Sequence, residues 1–146
     1  MNHTTTKLSP ITVRFPRPGE GQIIRLLMIA SGMVDILHGW DSPLAPYWLL
    51  AARQGEVIGA LQVCYGIPMC RLDILALDPN LTKRERAQVI LALGRAAVQL
   101  CVDYGATVLV TTINEDRYPG FGHVLQKHFH CTRLAPTRQY VMGLLR

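Results

Sequence analysis

The chain has 146 residues, 49% apolar and 17% charged, enough for one domain with a packed core and the wrong balance for disorder or a low-complexity fibre. Its longest unbroken apolar run, Tyr47 to Ala52, is six residues, against the ~20 of a membrane-spanning helix, and the polar start, Met1 to Ser9, lacks the apolar centre of a secretory signal. Fifteen Lys and Arg, twelve of them Arg, stand against ten Asp and Glu for a net charge of +5 spread along the chain, which suits anionic partners without choosing among them.

Residues 1–10 read as a polar leader to a single domain over residues 11–146. Ile11 to Phe15 reads as a strand stopped by Pro16 and Pro18. Gly19 to Ile29 turns helical, with Ile23, Leu26, Leu27 and Ala30 on one face and Gly32 as its stop. Gly39, Pro43 and Pro46 break any long element between Val34 and Leu44. Trp40, Pro43, Pro46, Tyr47 and Trp48 form an aromatic, Pro-rich stretch that reads as an apolar plug over a sheet.

Tyr47 to Ala52 and Val57 to Tyr65 form a hairpin around Gln54-Gly55-Glu56. Met69 to Leu77 is a third strand, stopped by Asp78-Pro79-Asn80. Thr82 to Tyr104 is the clearest helix. Val89, Leu93, Ala96, Ala97, Leu100 and Tyr104 share one face, and Arg84, Gln88, Arg95, Gln99 and Asp103 the other. Thr82 followed by Glu85 makes a capping box, and Gly105 a stop. Thr107 to Ile113 reads as a buried strand. A helix over Gly120 to Phe129 and two strands, Cys131 to Leu134 and Gln139 to Leu145, close the chain.

The four cysteines, Cys64, Cys70, Cys101 and Cys131, lie in apolar segments without CxxC spacing. They read as buried, reduced thiols of a cytoplasmic protein. His123, His128, His130 and Cys131 cluster in sequence, but neither HExxH nor paired CxxC is present, so no metal site is expected. Lys83, Arg84, Arg86 and Arg95 form a basic face without interleaved aromatics, and Arg14, Arg17, Arg133 and Arg138 add cations. This reads as a solvated surface, and nucleic acid is not an expected partner.

The order β, α, β-β-β, long α, β, α, β-β makes an α+β chain with one central βαβ crossover. That order, with Leu75-Ala76-Leu77-Asp78-Pro79 leading into the capped helix and Asn114 preceding a helix that ends Lys127-His128-Phe129, resembles the GCN5-related N-acetyltransferase (GNAT) fold from about Ile11 to Leu145. The resemblance implies a mixed, mostly antiparallel sheet with flanking helices and a splay between the third meander strand and Thr107 to Ile113. It implies acetyl-CoA in that splay, its pantetheine against the backbone of Leu75, Ala76 and Leu77. Its pyrophosphate would rest on the amides opening the long helix.

The family loop reads Gln/Arg-x-x-Gly-x-Gly/Ala, and this chain offers Arg84-Glu85-Arg86-Ala87-Gln88-Val89. Val89 stands where Gly or Ala is expected, and Glu85 brings a carboxylate toward the pyrophosphate, with Arg84 and Arg86 to offset it. Asp73 is the candidate base. The family's acid position falls at about Val124, which cannot act, leaving Tyr118 nearby. Asn114 is a candidate cofactor contact.

Two functions follow from the resemblance. One is a catalytically degenerate GNAT-fold protein serving as a binding or structural module in a larger assembly, with a protein partner or a second copy. The chain is similar in length and in its Asn-to-Phe segment to small proteins of tailed-phage virions, so its location is cytoplasmic or virion. The other is an active acetyl-CoA-dependent N-acetyltransferase acting on a small amine or a protein N-terminus.

Overall fold

The computed structural model describes residues 9–33, 47–113, 120–134 and 139–144. The readings for Trp40, Pro43, Pro46, Asn114, Tyr118 and Arg138 lie outside the described residues. The chain forms β1 (Ile11–Arg14), α1 (Gly21–Ala30), β2 (Trp48–Arg53), β3 (Glu56–Cys64), β4 (Met69–Leu77), α2 (Lys83–Tyr104), β5 (Val108–Thr112), α3 (Phe121–Phe129), β6 (Thr132–Leu134) and β7 (Gln139–Gly143). They join in one mixed sheet of order β1-β2-β3-β4-β5-β7-β6. Only the β4–β5 pair is parallel. A parallel pair needs a crossover, and α2 supplies it.

The two-residue turn Gln54-Gly55 sets the register of the central hairpin. Both residues have positive φ, +50° and +81°, which gives the turn the twist that antiparallel strands require. Alternation along β2 then divides the core. Leu49 and Ala51 pack with Val89, Leu93, Ala97 and Cys101 of α2. Trp48 and Leu50 pack with Ile24, Leu27 and Met28 of α1 on the opposite face. A third cluster, Ile113, Leu125, Phe129 and Tyr140, lies beneath α3.

The seating of two helices differs from the sequence reading. The buried stripe of α1 is Ile24, Leu27 and Met28, while Ile23, Leu26 and Ile29 are exposed. This helix is apolar nearly all round, so spacing alone cannot choose its inner face. On α2 the buried stripe is Val89, Leu93, Ala97 and Cys101. Tyr104 shares that stripe by spacing but is the last residue of α2 and is 51% exposed, its ring set against that of Tyr65.

Thr82 caps α2 as the sequence indicates: its hydroxyl accepts from the Glu85 N–H, and Glu85 accepts from the Thr82 N–H. Gly105, at φ +105°, ends the helix. All four cysteines are free thiols, Cys70 and Cys101 buried and Cys64 and Cys131 only half-buried.

Val89 is fully buried, and its fit depends on Gly59 of β3. A Cβ placed on Gly59 would lie 2.7 Å from Val89 Cγ1 and 3.1 Å from Leu77 Cδ2, closer than carbon atoms pack. Gly59→Ala is therefore expected to destabilise the fold by ~1–3 kcal/mol through overpacking. Val89→Ala alone leaves a void and also destabilises. In denaturant titrations the double variant should lose clearly less than the two losses added together, whereas strict additivity would contradict this packing.

Candidate functional site

β5 pairs with β4 only from Met69↔Val108 to Leu72↔Thr111. Beyond that point β4 runs on to Leu77 beside β3 alone. A bulge marks the place. The β3–β4 register passes from Leu61↔Leu75 to Val63↔Leu72, so Gln62 faces both Asp73 and Ile74. Such a bulge bends a strand away from its neighbour, and here the two central strands part.

A cavity of about 190 Å³ opens between them, lined by Leu72, Ile74 and Leu75 of β4, Leu93 of α2, and Leu125 and Phe129 of α3. Its walls suit an aliphatic chain. Gly94 permits this shape: a Cβ there would meet Phe129 Cζ at 2.6 Å, so the ring lies directly across α2.

Asp73 is the one ionisable residue lining the cavity among the described residues. Its two oxygens are engaged. Oδ1 accepts from Arg71 Nε at 2.5 Å. Oδ2 accepts from Arg71 Nη2 at 2.9 Å and from the Cys64 thiol at 3.1 Å. Partial burial, and then the neighbouring carboxylate, push the Cys64 thiol up to about 11, so it stays protonated at neutral pH. Arg71 was not singled out in the sequence, although it lies two positions from Asp73 on β4, a spacing that puts both on one face. Cys64 reaches Asp73 through the register that sets it opposite Arg71.

Of the residues mapped to the pantetheine, Leu75 is half-buried and lines the cavity. Ala76 packs into the α1 cluster and Leu77 into the α2 cluster. The Leu77 carbonyl accepts from Ser31 Oγ at 3.1 Å, which ties the C-terminal end of α1 to the end of β4.

At the start of α2, Arg84 and Arg86 are exposed, Ala87 and Gln88 are half-buried, and the Val89 side chain is turned into the core. Glu85 folds back on the helix start, as its capping box requires. Its charge is held by Arg53 of β2, with Nη1 donating to Oε1 at 2.6 Å, and not by Arg84 or Arg86. Arg53 Nε and Nη2 have no hydrogen-bond partner among the described residues. Val124 lies half-buried on α3. No group of three or more His, Cys, Asp or Glu that could hold a metal ion occurs among the described residues.

The helix start carries a pH signature. The Thr82 N–H first, and then Arg53, hold the Glu85 carboxyl at about 2, below the usual 4.5. Arg14 does the same for Glu20, also at about 2. A carboxyl lowered in the folded state stabilises fully above its unfolded value and loses that contribution as protons bind. Stability should therefore fall as pH drops from about 4.5 toward 2. Glu85→Gln, followed by urea titration at several pH values, should flatten that decline. An unchanged slope would mean the ion pair and cap contribute nothing.

No family model matches the chain, and no curated protein matches it. Solved structures do. Ard1 from Thermoplasma volcanium superposes with a TM-score of 0.67 at 17% identity, over 93% of this chain and 99% of that one. The diaminobutyrate acetyltransferase EctA from Paenibacillus lautus, in complex with its substrate and coenzyme A, gives 0.69 at 12% identity, over 93% and 96%. The protein yncA from Salmonella typhimurium, with its cofactor acetyl-CoA, gives 0.66 at 14% identity, over 93% and 95%. At these identities the likeness establishes the fold alone: the chain has the mixed α+β fold of the GNAT acetyltransferases.

Proposed function

We propose that this chain is a GNAT-fold protein that keeps the architecture of an acetyltransferase without its chemistry, and serves as a binding or structural module in a larger assembly. The carrying observation is at Asp73. A base must take a proton from an amine, and among the described residues the one carboxylate lining the cavity has both oxygens engaged by Arg71. Glu85 supports the same reading, because its carboxylate sits where an anionic pyrophosphate would have to rest. So does Ser31, whose hydroxyl engages a carbonyl that pantetheine would meet. The assembly we favour is a phage virion, with residues 1–10 as a leader and residues 11–146 as the folded unit. A protein partner or a second copy of the chain would be its neighbour.

The alternative is an active acetyl-CoA-dependent N-acetyltransferase. Two observations favour it. The cavity between β4 and β5 is open and apolar, and the Val89 side chain is buried in the core, clear of the loop surface. In this reading Arg84 and Arg86 hold the pyrophosphate. Leu75 to Leu77, Ala87, Gln88 and Asn114 line the cofactor, and Tyr118 supplies the acid.

Calorimetric titration with acetyl-CoA separates the two. The structural reading predicts no saturable heat up to millimolar cofactor, and self-association or a captured partner in gel filtration with cross-linking. The enzymatic reading predicts micromolar binding that Arg84→Ala and Arg86→Ala weaken, by roughly 5–150-fold if each removes one charge-assisted contact of 1–3 kcal/mol. A free monomer that binds acetyl-CoA at micromolar concentration would overturn the structural reading.

A further inference from the structure

A second concavity, of about 460 Å³, shares no lining residue with the cleft. Phe15 beyond β1, Tyr47 before β2, Tyr65 after β3 and Tyr104 at the end of α2 surround it, with Leu100 and Asp103. The strand ends that supply these rings lie opposite the Arg53 end of β2, so the groove and the start of α2 are at different ends of the sheet.

Three of the rings are in mutual contact. Tyr65 is half-buried and central: its ring centroid lies 5.0 Å from that of Tyr104, tilted by 44°, and 6.1 Å from that of Tyr47, tilted by 56°. Tyr47 and Tyr104 stand about half exposed on either side, and Phe15 is 41% exposed. The rings pack on one another, and exposed aromatic faces beside the concavity attract a cation through their quadrupoles.

Among the described residues Asp103 is the only charged one lining the groove. This stands out in a chain of net charge +5. Its Oδ1 accepts from Gln99 Nε2 at 2.9 Å, which orients the carboxylate.

We propose that this groove binds a small quaternary ammonium ligand of the choline type. Aromatic faces favour a large, weakly hydrated cation, and one carboxylate neutralises one charge. The primary ammonium of an unmodified lysine holds its water more tightly and is a poorer fit.

The test is an NMR titration of the whole chain at fixed, moderate salt. The probes are choline, its uncharged carbon analogue, and a short peptide carrying trimethyllysine. Choline should bind saturably and at least tenfold more tightly than the carbon analogue, and should shift the resonances of Tyr47, Tyr65 and Tyr104. Tyr104→Ala and Asp103→Asn should each weaken choline by about tenfold, the size of one cation–π or charge contact. Both residues are exposed, so the fold should be retained, which circular dichroism checks. Equal binding of choline and its carbon analogue, no saturation, or unchanged affinity in both variants would overturn the proposal. Binding of the peptide alone would overturn the small-ligand assignment. None of these outcomes depends on acetyl-CoA in the cleft.

Discussion

The parting of β4 from β5 is the constraint on which the rest of the structure depends. Two parallel strands share four register positions and then separate. Parallel pairing forces a crossover helix, so the long α2 must lie across the sheet at that place. Separation leaves an apolar gap, which Leu93, Leu125 and Phe129 line without filling. The bulge opposite Gln62 turns Asp73 and Ile74 at the mouth of the gap. A cleft in the middle of a sheet gives up strand pairing, and the two cores on its faces offset that loss.

Two local fits serve that frame. In one, Val89 of α2 occupies space that Gly59 of β3 leaves open. The other is a matching of charge. Glu85 satisfies amides at the start of α2, and Arg53 reaches across from β2 to hold it. A helix start that carries its own anion, secured by a partly buried cation, has less need of an external one. At the cleft mouth Arg71 stands in the same relation to Asp73. In both places a carboxylate is matched to a guanidinium of this chain, which is the physical content of the non-catalytic reading.

Much of the architecture was legible in the residues. Met69 to Leu77 and the capped helix from Thr82 carry strong periodic and capping signals, and both appear as read. The hairpin followed from Gln54-Gly55, where positive φ is required. The inner face of α1 was not legible, because a helix apolar on every side has no preferred stripe in sequence. The partner of Glu85 was not legible either, nor was the contact of Cys64 with Asp73. Arg53 lies 32 positions from Glu85, and Cys64 meets Asp73 only through register. Spacing along a chain reports local geometry, whereas such pairs are set by how strands align. Nor did spacing gather Phe15, Tyr47, Tyr65 and Tyr104, which four separate elements bring to one end of the sheet.

The central proposal is that the acetyltransferase fold persists here as a non-catalytic module, with Asp73, the one cleft carboxylate among the described residues, matched to Arg71. The most direct measurement incubates the pure protein with acetyl-CoA and a panel of amines and N-terminal peptides, and detects acetylated product by mass spectrometry. The account predicts no product above the uncatalysed background for any acceptor. Enzyme-dependent product that accumulates over many turnovers, and disappears in Asp73→Asn, would contradict it.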